Sequence, residues 1–571
     1  MNRYSTLVEA LFAAPGDRPF VTFWVDEEEQ YAVTFEQFRR RAGVQAKLLL
    51  DHEVQAGDRV IILMPQGISA MTAFAGALMV AAVPTILAYP NFKVESSKYR
   101  SGLAGVTGNL DARIVLIDDA FPEELLEYVS LNNGSQLIRV GDASTPNVHR
   151  EVPECEIACD SLAFIQHSAG TTGLQKGVAL THGAVLSQLD YLSGALRIDP
   201  STDRIYSWLP LYHDMGLIAC FMLPMVCHLP VVMQSPLDWV MHPETMLQVI
   251  TEHRCTMAWM PNFAFQFAPR RTTQMQRGQY DLSSLRALIN CSEPVRANSM
   301  NEFAAAFAPI GFHSRALQSS YAMAENVFAV TQSDLGRSSS PERIWADGPR
   351  LRSEHVVVPV PEGTLGAVSF TSSGRMLPNH DLNIVSESDS VLPDGHVGEI
   401  LVKSDCLFRG YYNRPDLTAA ALADGWYRTG DLGFQLQGEL YVVGRKKDLL
   451  IVGGENLYPQ DIEEIVAGHP AIHDGRVVAM GVYNENLGTE DIVIVGEVER
   501  EEFLGAAPEI EREIRRRVVA GLGVAVRTVL LKPPQWIVKS TAGKPARSGT
   551  REKLLREHPE LNVESWGSRL S

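Results

Sequence analysis

The stretch HSAGTTGLQKGVALTH, residues 167–182, places three glycines, three hydroxyl side chains and Lys176 within residues 168–178. Small residues allow several backbone N–H groups to converge on one cluster of oxygens, and a lysine adds a compact positive charge. A surface turn is the alternative, because glycine and threonine are common in turns. The Walker pattern fails, since Gly177 follows the lysine. The stretch indicates a phosphate-binding loop unlike that of P-loop NTPases.

Apolar runs on both sides predict the structural setting of this loop. Residues 160–166, DSLAFIQ, read as a short strand, and a second brief strand precedes a helix that begins near His182. Similar runs alternate with helical patterns earlier and later in the chain: VIILM, PTILA, ARIVLID, PVVMQ, CTMAWM and ALINCS. This alternation is typical of α/β domains whose strands are buried on both faces.

The composition restricts the class of function. The chain has 571 residues, of which 45% are hydrophobic and 21% charged, as expected of a globular enzyme with several domains. A net charge of -18 argues against nucleic acid as the main partner. Seven cysteines without a C-x-x-C pair predict neither a disulfide framework nor a zinc site, and they favour a cytoplasmic location.

Two long uncharged runs, residues 68–89 and 215–237, need an explanation. Both contain proline and many small residues, and the first follows RVIILMP as a helix follows a strand in a βαβ unit. We therefore expect a buried helix and strand in each run and no membrane span.

Changes in composition suggest where the chain divides. Residues 337–361 are rich in serine, proline and charge, which predicts a loop or insertion. The β-like pieces HVGEILVKS and GELYVVG follow, and beyond residue 444 the pattern becomes compact α+β with a basic tail. We predict a first domain over residues 1–443, a hinge at 444–448 and a second domain over 449–571.

Further motifs follow the loop in order. They are WLPLYHDMGL (208–217), NCSEPV (290–295), SSYAMAEN (319–326), WYRTGDLG (426–433), GRKKDLLIVGGENLYPQDIEE (444–464) and VKSTAGKPAR (538–547). Together they resemble the adenylate-forming superfamily of acyl-CoA synthetases, luciferases and adenylation domains. The resemblance implies an α/β fold in which a large N-terminal domain of layered α/β subdomains includes a small β-barrel-like part. It also implies a small mobile α+β C-terminal domain.

In this superfamily a carboxylate attacks the α-phosphorus of ATP, and the resemblance gives each motif a part in that reaction. The residues expected to bind ATP are Ser168, Thr171, Thr172, Lys176, Cys291, Ser292, Glu293, Tyr321, Ala322, Met323, Asp431 and Arg445. The expected catalytic residues are Lys544, His213 and Glu325. Glu325 is also expected to hold Mg²⁺, and Asp448 matches the hinge position.

Ordinary structural roles remain open for several of these residues. Asp431 could be a solvated turn residue, Glu325 a helix-surface residue and Lys544 a solvated lysine of the tail. Lys544 departs most from the family pattern, because VKSTAGK lacks the usual proline and has Ala542 in place of a serine.

Two segments bear on the acid. Amino-acid-activating members carry Phe-Asp where this chain has Tyr212 and His213, so the carboxylate that clamps an amine is missing. The aromatic segment AWMPNFAFQFAP, residues 258–269, could line an apolar tunnel or simply belong to the core. The expected acyl-pocket residues are Met215, Trp259, Met260, Phe263 and Phe265.

The pieces PNFAF, NCSEPV and YPQDIEE are most similar to the fatty acyl-AMP ligases. This resemblance implies ATP- and Mg²⁺-dependent activation of a long-chain fatty acid to an acyl-adenylate, with release of pyrophosphate. It further implies acyl transfer to the phosphopantetheine of an acyl carrier protein. An acyl-CoA synthetase that uses coenzyme A is one alternative, and a non-adenylating acyl-binding protein of the same fold is another.

Overall fold

The structure is a computed structural model, and it describes residues 4–26, 28–90, 96–132, 134–141, 156–167, 175–336, 341–452, 455–484, 489–539 and 545–561. Among the predicted site residues, Ser168, Thr171, Thr172 and Lys544 lie outside these ranges.

The first part of the chain places strands on both sides of the quoted loop. Its elements are α1 Leu7–Ala13, β1 Pro19–Trp24, β2 Gln30–Thr34, α2 Phe35–Asp51, β3 Arg59–Leu63, α3 Ile68–Met79, β4 Val83–Ile86, α4 Ser96–Leu110, β5 Ile114–Ile117, β6 Gln136–Arg139, β7 Leu162–His167, β8 Gly177–Thr181 and α5 His182–Ala195. A parallel sheet has the order β4-β3-β5-β6, and β7 pairs antiparallel with β8. α5 begins where the Thr181 hydroxyl accepts a hydrogen bond from Ala184 N. The predicted strand, strand and helix around the loop are confirmed.

The second part builds a larger sheet. Its elements are β9 Ile205–Ser207, α6 Leu223–Cys227, β10 Val231–Met233, α7 Pro236–Met241, α8 Thr245–His253, β11 Met257–Met260, α9 Asn262–Arg271, α10 Gln274–Arg277, β12 Ala287–Asn290, α11 Ala297–Phe307, β13 Leu317–Ala322, β14 Ala329–Gln332, β15 Arg343–Asp347, α12 Gly348–Glu354, β16 Ala367–Thr371 and β17 Arg375–Met376. The sheet order is β17-β14-β13-β12-β11-β9-β10-β1-β2, parallel from β13 to β1 and antiparallel at both ends. Strands β9 to β12 are buried on both faces, which explains their continuous apolar sequences.

Residues 337–361 were predicted to be a loop or an insertion, and the loop alternative is wrong for the described residues 341–361. Within the segment predicted as a loop, β15 pairs antiparallel with β16, and α12 follows β15 directly. The helix can start there because the Asp347 carboxylate accepts a hydrogen bond from Arg350 N and Pro349 occupies its first turn. Serine, proline and charge therefore marked a helix start and an exposed surface rather than irregular chain.

An antiparallel sheet follows, formed by the strands from residue 380 to residue 445. Its elements are β18 His380–Val385, β19 Gly398–Ser404, β20 Gly410–Tyr411, α13 Pro415–Ala421, β21 Leu422–Ala423, β22 Trp426–Leu436 and β23 Glu439–Arg445. The order is β18-β19-β22-β21, with β23 also paired to β22, whereas β20 joins β8 instead. β20 thus ties this part to β8, the strand that follows the predicted phosphate-binding loop.

The end of the chain has the predicted α+β pattern. Its elements are β24 Leu450–Val452, β25 Glu455–Leu457, α14 Pro459–Ala467, β26 Ile472–Asn484, β27 Thr489–Val498, α15 Ala507–Leu522, β28 Thr528–Lys532 and α16 Arg547–Glu557. The sheet β26-β27-β28 packs with α14 and α15 around its own apolar cluster, which includes Ile462, Ala479 and Ile514. We call residues 449–561 the C-terminal unit.

The long uncharged runs are buried elements. α3 is buried on all sides from Ala70 to Met79, and residues 215–237 form π-helical Met215–Met222, α6 and β10 in the core. Within the described ranges, no helix has the length and apolar character needed to cross a membrane.

Candidate active site

A cavity of about 2910 Å³ brings most of the described motif residues together. The sequence-predicted residues in its wall are Lys176, His213, Met215, Phe263, Ser292, Glu293, Tyr321, Ala322, Met323, Glu325, Asp431, Arg445 and Asp448. Several of them follow the carboxyl ends of β12 and β13, where ligands bind in open α/β sheets. Trp536 and Arg547 of the C-terminal unit complete the wall.

Asp431 on β22 lies between two polar partners. Tyr321 Oη donates to its Oδ2 at 2.7 Å, and Arg445 Nε lies 3.2 Å from its Oδ1. Because β22 and β23 pair Asp431 with Arg445 in register, the ion pair is a cross-strand pair. Asp431 N donates to the Thr429 hydroxyl at 3.0 Å, which fixes the backbone.

The electrostatics of Asp431 indicate unused acceptor capacity. Burial raises the pKa of its carboxyl group, although the Arg445 charge and the Tyr321 hydrogen bond act in the opposite direction. Each carboxylate oxygen can accept more than one hydrogen bond. Two further donors, such as the paired hydroxyls of a ribose, would stabilise the charged form.

Glu325 and Lys176 lie on either side of one tyrosine. Tyr411 Oη donates to Glu325 Oε1 at 2.7 Å, and the Tyr411 ring centroid is 4.4 Å from Lys176 Nζ. The pairing of β20 with β8 produces this arrangement, since Tyr411 lies on β20 and Lys176 comes just before β8. A cation and a carboxylate that contact the same tyrosine can bind a phosphate group and the metal ion attached to it. Ser168, Thr171 and Thr172, predicted to join them, lie outside the described residues.

The three residues after β12 differ in what they offer to a ligand. Ser292 has a φ of 67°, a conformation uncommon outside glycine and often found at functional sites. Glu293 Oε2 accepts a hydrogen bond from Phe263 N at 2.9 Å and so stabilises the start of α9. The Cys291 side chain is fully buried and is absent from the cavity wall, so Cys291 can act there only through its backbone.

His213 is oriented by its neighbour. Its Nδ1 lies 2.7 Å from Asp214 Oδ1, and the same carboxylate accepts a hydrogen bond from Met215 N at 2.7 Å. Burial raises the pKa of the adjacent Tyr212 to about 12, so its hydroxyl stays neutral. An imidazole held by a carboxylate has a defined ring orientation.

Aromatic side chains line another wall of the cavity. Trp208 and Trp239 stack with their ring centroids 3.7 Å apart, and Phe263 packs edge-on against Trp208 at 6.2 Å. Phe267, one turn after Phe263 on α9, lines the same wall. Phe267 belongs to the aromatic segment 258–269 that was predicted to line a tunnel or the core, whereas sequence analysis missed Trp208 as a wall residue.

Three predicted acyl-pocket residues are elsewhere. Trp259 and Met260 lie on β11 in the middle of the large sheet, where both faces are covered, and they are 1% and 0% exposed. Phe265 is fully buried on the other side of α9 and packs against Phe303 at 5.4 Å. These three residues belong to the core, and we do not retain them as acyl contacts. Met215 and Phe263 do reach the cavity.

The family assignment comes from comparison with known proteins. Residues 8–412, more than half of the chain, match the AMP-binding enzyme family. The chain belongs to the AMP-binding enzymes. Within that family it is a ligase, as its relatives are.

Curated relatives of this AMP-binding enzyme cover almost its entire length. The medium-chain-fatty-acid–[acyl-carrier-protein] ligase JamA of Moorena producens is 32% identical over 95% of this chain and 93% of its own. The long-chain-fatty-acid–AMP ligase FadD26 of Mycobacterium marinum is 30% identical over 91% of each chain.

A solved fatty acyl-adenylate ligase, from a study of the E. coli and L. pneumophila enzymes, has the same fold. It superposes with a TM-score of 0.88 at 27% identity, over 98% of this chain and 99% of its own. A fatty acyl-adenylate ligase from L. pneumophila in complex with acyl adenylate and pyrophosphate superposes with a TM-score of 0.72 at 27% identity, over 97% and 96%.

The AMP-binding enzyme has one further contact at the predicted hinge. Asp448 Oδ2 lies 3.0 Å from Arg547 Nη1, and Arg547 also holds Glu463, with 2.6 Å between Nη2 and Oε2. Arg547 is three residues beyond Lys544, which lies outside the described part of the chain. Sequence analysis missed Arg547, because nothing in the sequence pairs it with a residue about 100 positions earlier.

Proposed function

We propose that this enzyme activates a fatty acid as its acyl-adenylate and transfers the acyl group to the phosphopantetheine thiol of a carrier protein. A carboxylate oxygen attacks the α-phosphorus of ATP, the bond to the bridging oxygen breaks, and pyrophosphate leaves. The thiol then attacks the acyl carbon and AMP leaves. The observation that carries the proposal is one cavity in which the Asp431 group adjoins an aromatic wall.

The described residues fit a bound nucleotide. Asp431 has the acceptor capacity for two ribose hydroxyls, and Arg445 stands beside it to meet phosphate or ribose oxygens. Tyr321 and the backbone at Ser292 are proposed to contact the adenine, as are Ala322 and Met323. Among the described residues no cluster of three His, Cys, Asp or Glu side chains could hold a metal. Glu325 together with substrate phosphates is nevertheless sufficient, because Mg²⁺ is usually bound by one or two carboxylates and the phosphates.

The acyl chain is proposed to lie against Trp208, Phe263 and Phe267. Leu237 and Val240 of the α7 region line the cavity as well, so the wall is predominantly apolar there. His213, held by Asp214, is proposed to face the reacting carboxylate, which would also meet the ammonium group of Lys544.

We also propose the domain division predicted from the sequence, with a large domain over 1–443, a hinge at 444–448 and a small domain over 449–571. The separate apolar cluster of the C-terminal unit supports it. A carrier protein is proposed as the acceptor because JamA is a ligase of that kind. A cytoplasmic location belongs to the same proposal.

The test is an acid-dependent ATP–pyrophosphate exchange assay with saturated acids of increasing chain length, in which the acyl-AMP is identified by mass. We expect exchange that requires both a fatty acid and Mg²⁺. Thioester formation is then compared between free coenzyme A and a holo carrier protein, with the apo carrier as the control. Preference for coenzyme A would make the protein an acyl-CoA synthetase. No exchange with any carboxylic acid would refute the adenylation reaction itself.

A further inference from the structure

Arg296 is held in place by an amide network in the wall of the cavity. Its backbone N donates to Asn262 Oδ1 at 3.0 Å, and the same oxygen accepts from Asn290 Nδ2 at 2.9 Å. Asn262 Nδ2 in turn donates to the Ser299 hydroxyl at 3.1 Å. Asn290 ends β12 and is followed at once by the Cys291–Glu293 segment, so Arg296 is fixed to the same support as the proposed adenine contact.

From this anchor the Arg296 side chain reaches across to the C-terminal unit. Its guanidinium forms an ion pair with Glu464 through Nη1, and Nη2 donates to the Gln460 carbonyl at 3.1 Å. Both partners lie on α14, and the arginine side chain is 22% exposed. A guanidinium that holds a side chain and a carbonyl of one helix restricts the orientation of that helix.

α14 is firmly part of the C-terminal unit, so the restriction extends beyond the helix. Ile462 and Val466 pack in the apolar cluster of that unit, and Glu463 Oε1 accepts a hydrogen bond from Ala479 N of β26 at 3.0 Å. Glu463 also binds Arg547, which begins the helix that follows residues 540–544. Arg296 therefore connects the β12 loop to the segment that leads out of residues 540–544.

We propose that Arg296 is a positioning residue, which docks α14 against the cavity and so places the C-terminal unit for the adenylation step. The expected effect on adenylation kinetics rests on the proposed function, whereas the docking of α14 by Arg296 does not. The docking contact is a property of the protein without substrate. This contact gives a role to the arginine that directly follows the NCSEPV segment. Arg296 itself is not among the ATP contacts predicted from that segment.

The first test is independent of activity. Arg445 and Lys446 have side chains 55% and 48% exposed, so limited trypsin treatment can cut the hinge and release the C-terminal unit, which mass spectrometry identifies. We expect Arg296→Gln to be cut at the hinge about tenfold faster than wild type, because opening the docked state lets the backbone of this segment unfold locally into the protease. Arg40→Gln is the matched control, since it also breaks an arginine–glutamate pair, with Glu36 on α2 far from the hinge.

The second test uses kinetics. We expect Arg296→Gln to lower kcat for acid-dependent exchange about tenfold or more, as misplacement of a reacting group does. KM for the acid should stay within about twofold, because Arg296 is not among the proposed acyl contacts. The exchanged pair, Arg296→Glu with Glu464→Arg, should recover part of both the kcat and the resistance to trypsin.

These outcomes decide the proposal in either direction. Hinge cleavage of Arg296→Gln at the rate of Arg40→Gln, or an exchanged pair that folds without any recovery, would overturn it. Circular dichroism checks folding, and Arg296→Lys, which keeps the charge but loses the second contact, replaces the glutamine variant if that one is unfolded. Wild-type protein without any exchange activity would refute the proposed function, whereas the trypsin comparison would still decide the docking role.

Discussion

At the scale of single residues, two partly buried carboxyl groups have a raised pKa. Asp431 is held by a tyrosine hydroxyl and an arginine, yet burial still raises the pKa of its carboxyl group. Asp461 on α14 is a second carboxyl group whose pKa burial raises. A ligand is expected to stabilise the charged form of Asp431. Arg296 and Arg352 stabilise the charged form of Asp461, and burial favours its protonated form.

Replacing Asp431 with Asn should weaken nucleotide binding. We expect KM for ATP to rise about 10- to 100-fold, because hydrogen bonds to a charged acceptor contribute about 1.5–3 kcal/mol. In the wild type, KM for ATP should also rise as the pH falls towards the raised pKa, since protonation removes the charge that accepts the ribose hydroxyls. The exchange assay over a pH series measures both effects. Asp424→Asn, at an exposed turn, is the control, and an equal KM in the two variants would return Asp431 to a structural role.

Replacing Asp461 with Asn should stabilise the protein in a pH-dependent way. Burial raises the pKa of Asp461 from its ordinary 3.8 to about 6. The charged groups that face it are Arg296, Arg352, Glu463 and Glu464. Between these pKa values the folded state binds more protons than the unfolded state, so the stability of the wild type falls as pH rises through this window. We expect a gain of up to about 3 kcal/mol at high pH, where Asp461 is fully charged.

The measurement is the difference in Tm between Asp461→Asn and wild type at about pH 5 and about pH 8. The difference should be larger at the higher pH. An equal difference at both pH values would mean that the Asp461 carboxyl group titrates normally in the folded protein.

At the scale of elements, the two faces of a helix have separate functions. α9 turns Phe265 into the core and Phe263 towards the cavity, where Phe263 is 37% exposed. α15 buries Ile510, Ile514 and Val518 and leaves Arg512 and Arg516 exposed. Helical periodicity produces both divisions.

Shortening Phe263 or Phe267 to Ala should shift the preferred acyl chain length upward. Each change removes a ring from the apolar wall and so lengthens the space for the acyl chain. One methylene in such a pocket is worth about 1–3 kcal/mol. Exchange rates over the chain-length series measure the shift. Phe12→Ala, at an exposed phenylalanine on α1, should leave the profile unchanged. If Phe263→Ala and Phe267→Ala both keep the wild-type chain-length optimum, as the control does, the acyl chain lies against another wall.

Reversing the charge of Arg512 and Arg516 to Glu should slow acyl transfer to a carrier protein. Carrier proteins of this kind are typically acidic, and α15 offers a local positive patch on a chain of net charge -18. Arg517 contributes less than its sequence position suggests, because it pairs with Glu513 at 2.8 Å. We expect transfer to slow about tenfold at low salt and to lose its salt dependence, while pyrophosphate exchange is unchanged. Arg40→Glu is the control, and unchanged transfer would leave these arginines without a partner role.

At the scale of the whole molecule, the candidate active-site cavity is lined both by the first 448 residues and by the C-terminal unit. The backbone on both sides of residues 540–544 is secured, because Ala546 N donates to the Val538 carbonyl at 2.8 Å and Ile537 N donates to Glu497 Oε1 at 2.6 Å. Glu497 is 1% exposed and lies 3.6 Å from Arg476. The C-terminal unit thus presents the flanks of this segment from a rigid base.

Replacing Lys544 with Ala should suppress acyl-AMP formation by about 100-fold or more without loss of fold, because its ammonium would offset the repulsion between carboxylate and α-phosphate. Acyl-AMP is measured by mass in a single turnover, and Tm is measured alongside. Lys47→Ala, on the exposed side of α2, is the matched control. Near-normal adenylation by the Lys544 variant would assign the charge that offsets this repulsion to another residue.

Much of the fold could be predicted because its information is local. The runs VIILM, PTILA, PVVMQ and CTMAWM became β3, β4, β10 and β11, since strands covered on both faces need continuous apolar sequence. For residues 337–361, predicted to be a loop or an insertion, the loop alternative was wrong for a local reason too, because the same serine, proline and charge pattern occurs at a helix start.

The sequence by itself determined the layered α/β fold and the order of the motifs along the chain. Only the tertiary structure decided which aromatic residues face the cavity, with Trp208 and Phe267 there and Trp259 and Met260 in the core. It also decided that Arg296 meets Glu464 and that Asp448 meets Arg547. The physical reason is that periodicity shows that a residue is buried but not which neighbour covers it. That neighbour comes from a distant segment, placed by the packing of whole sheets and helices.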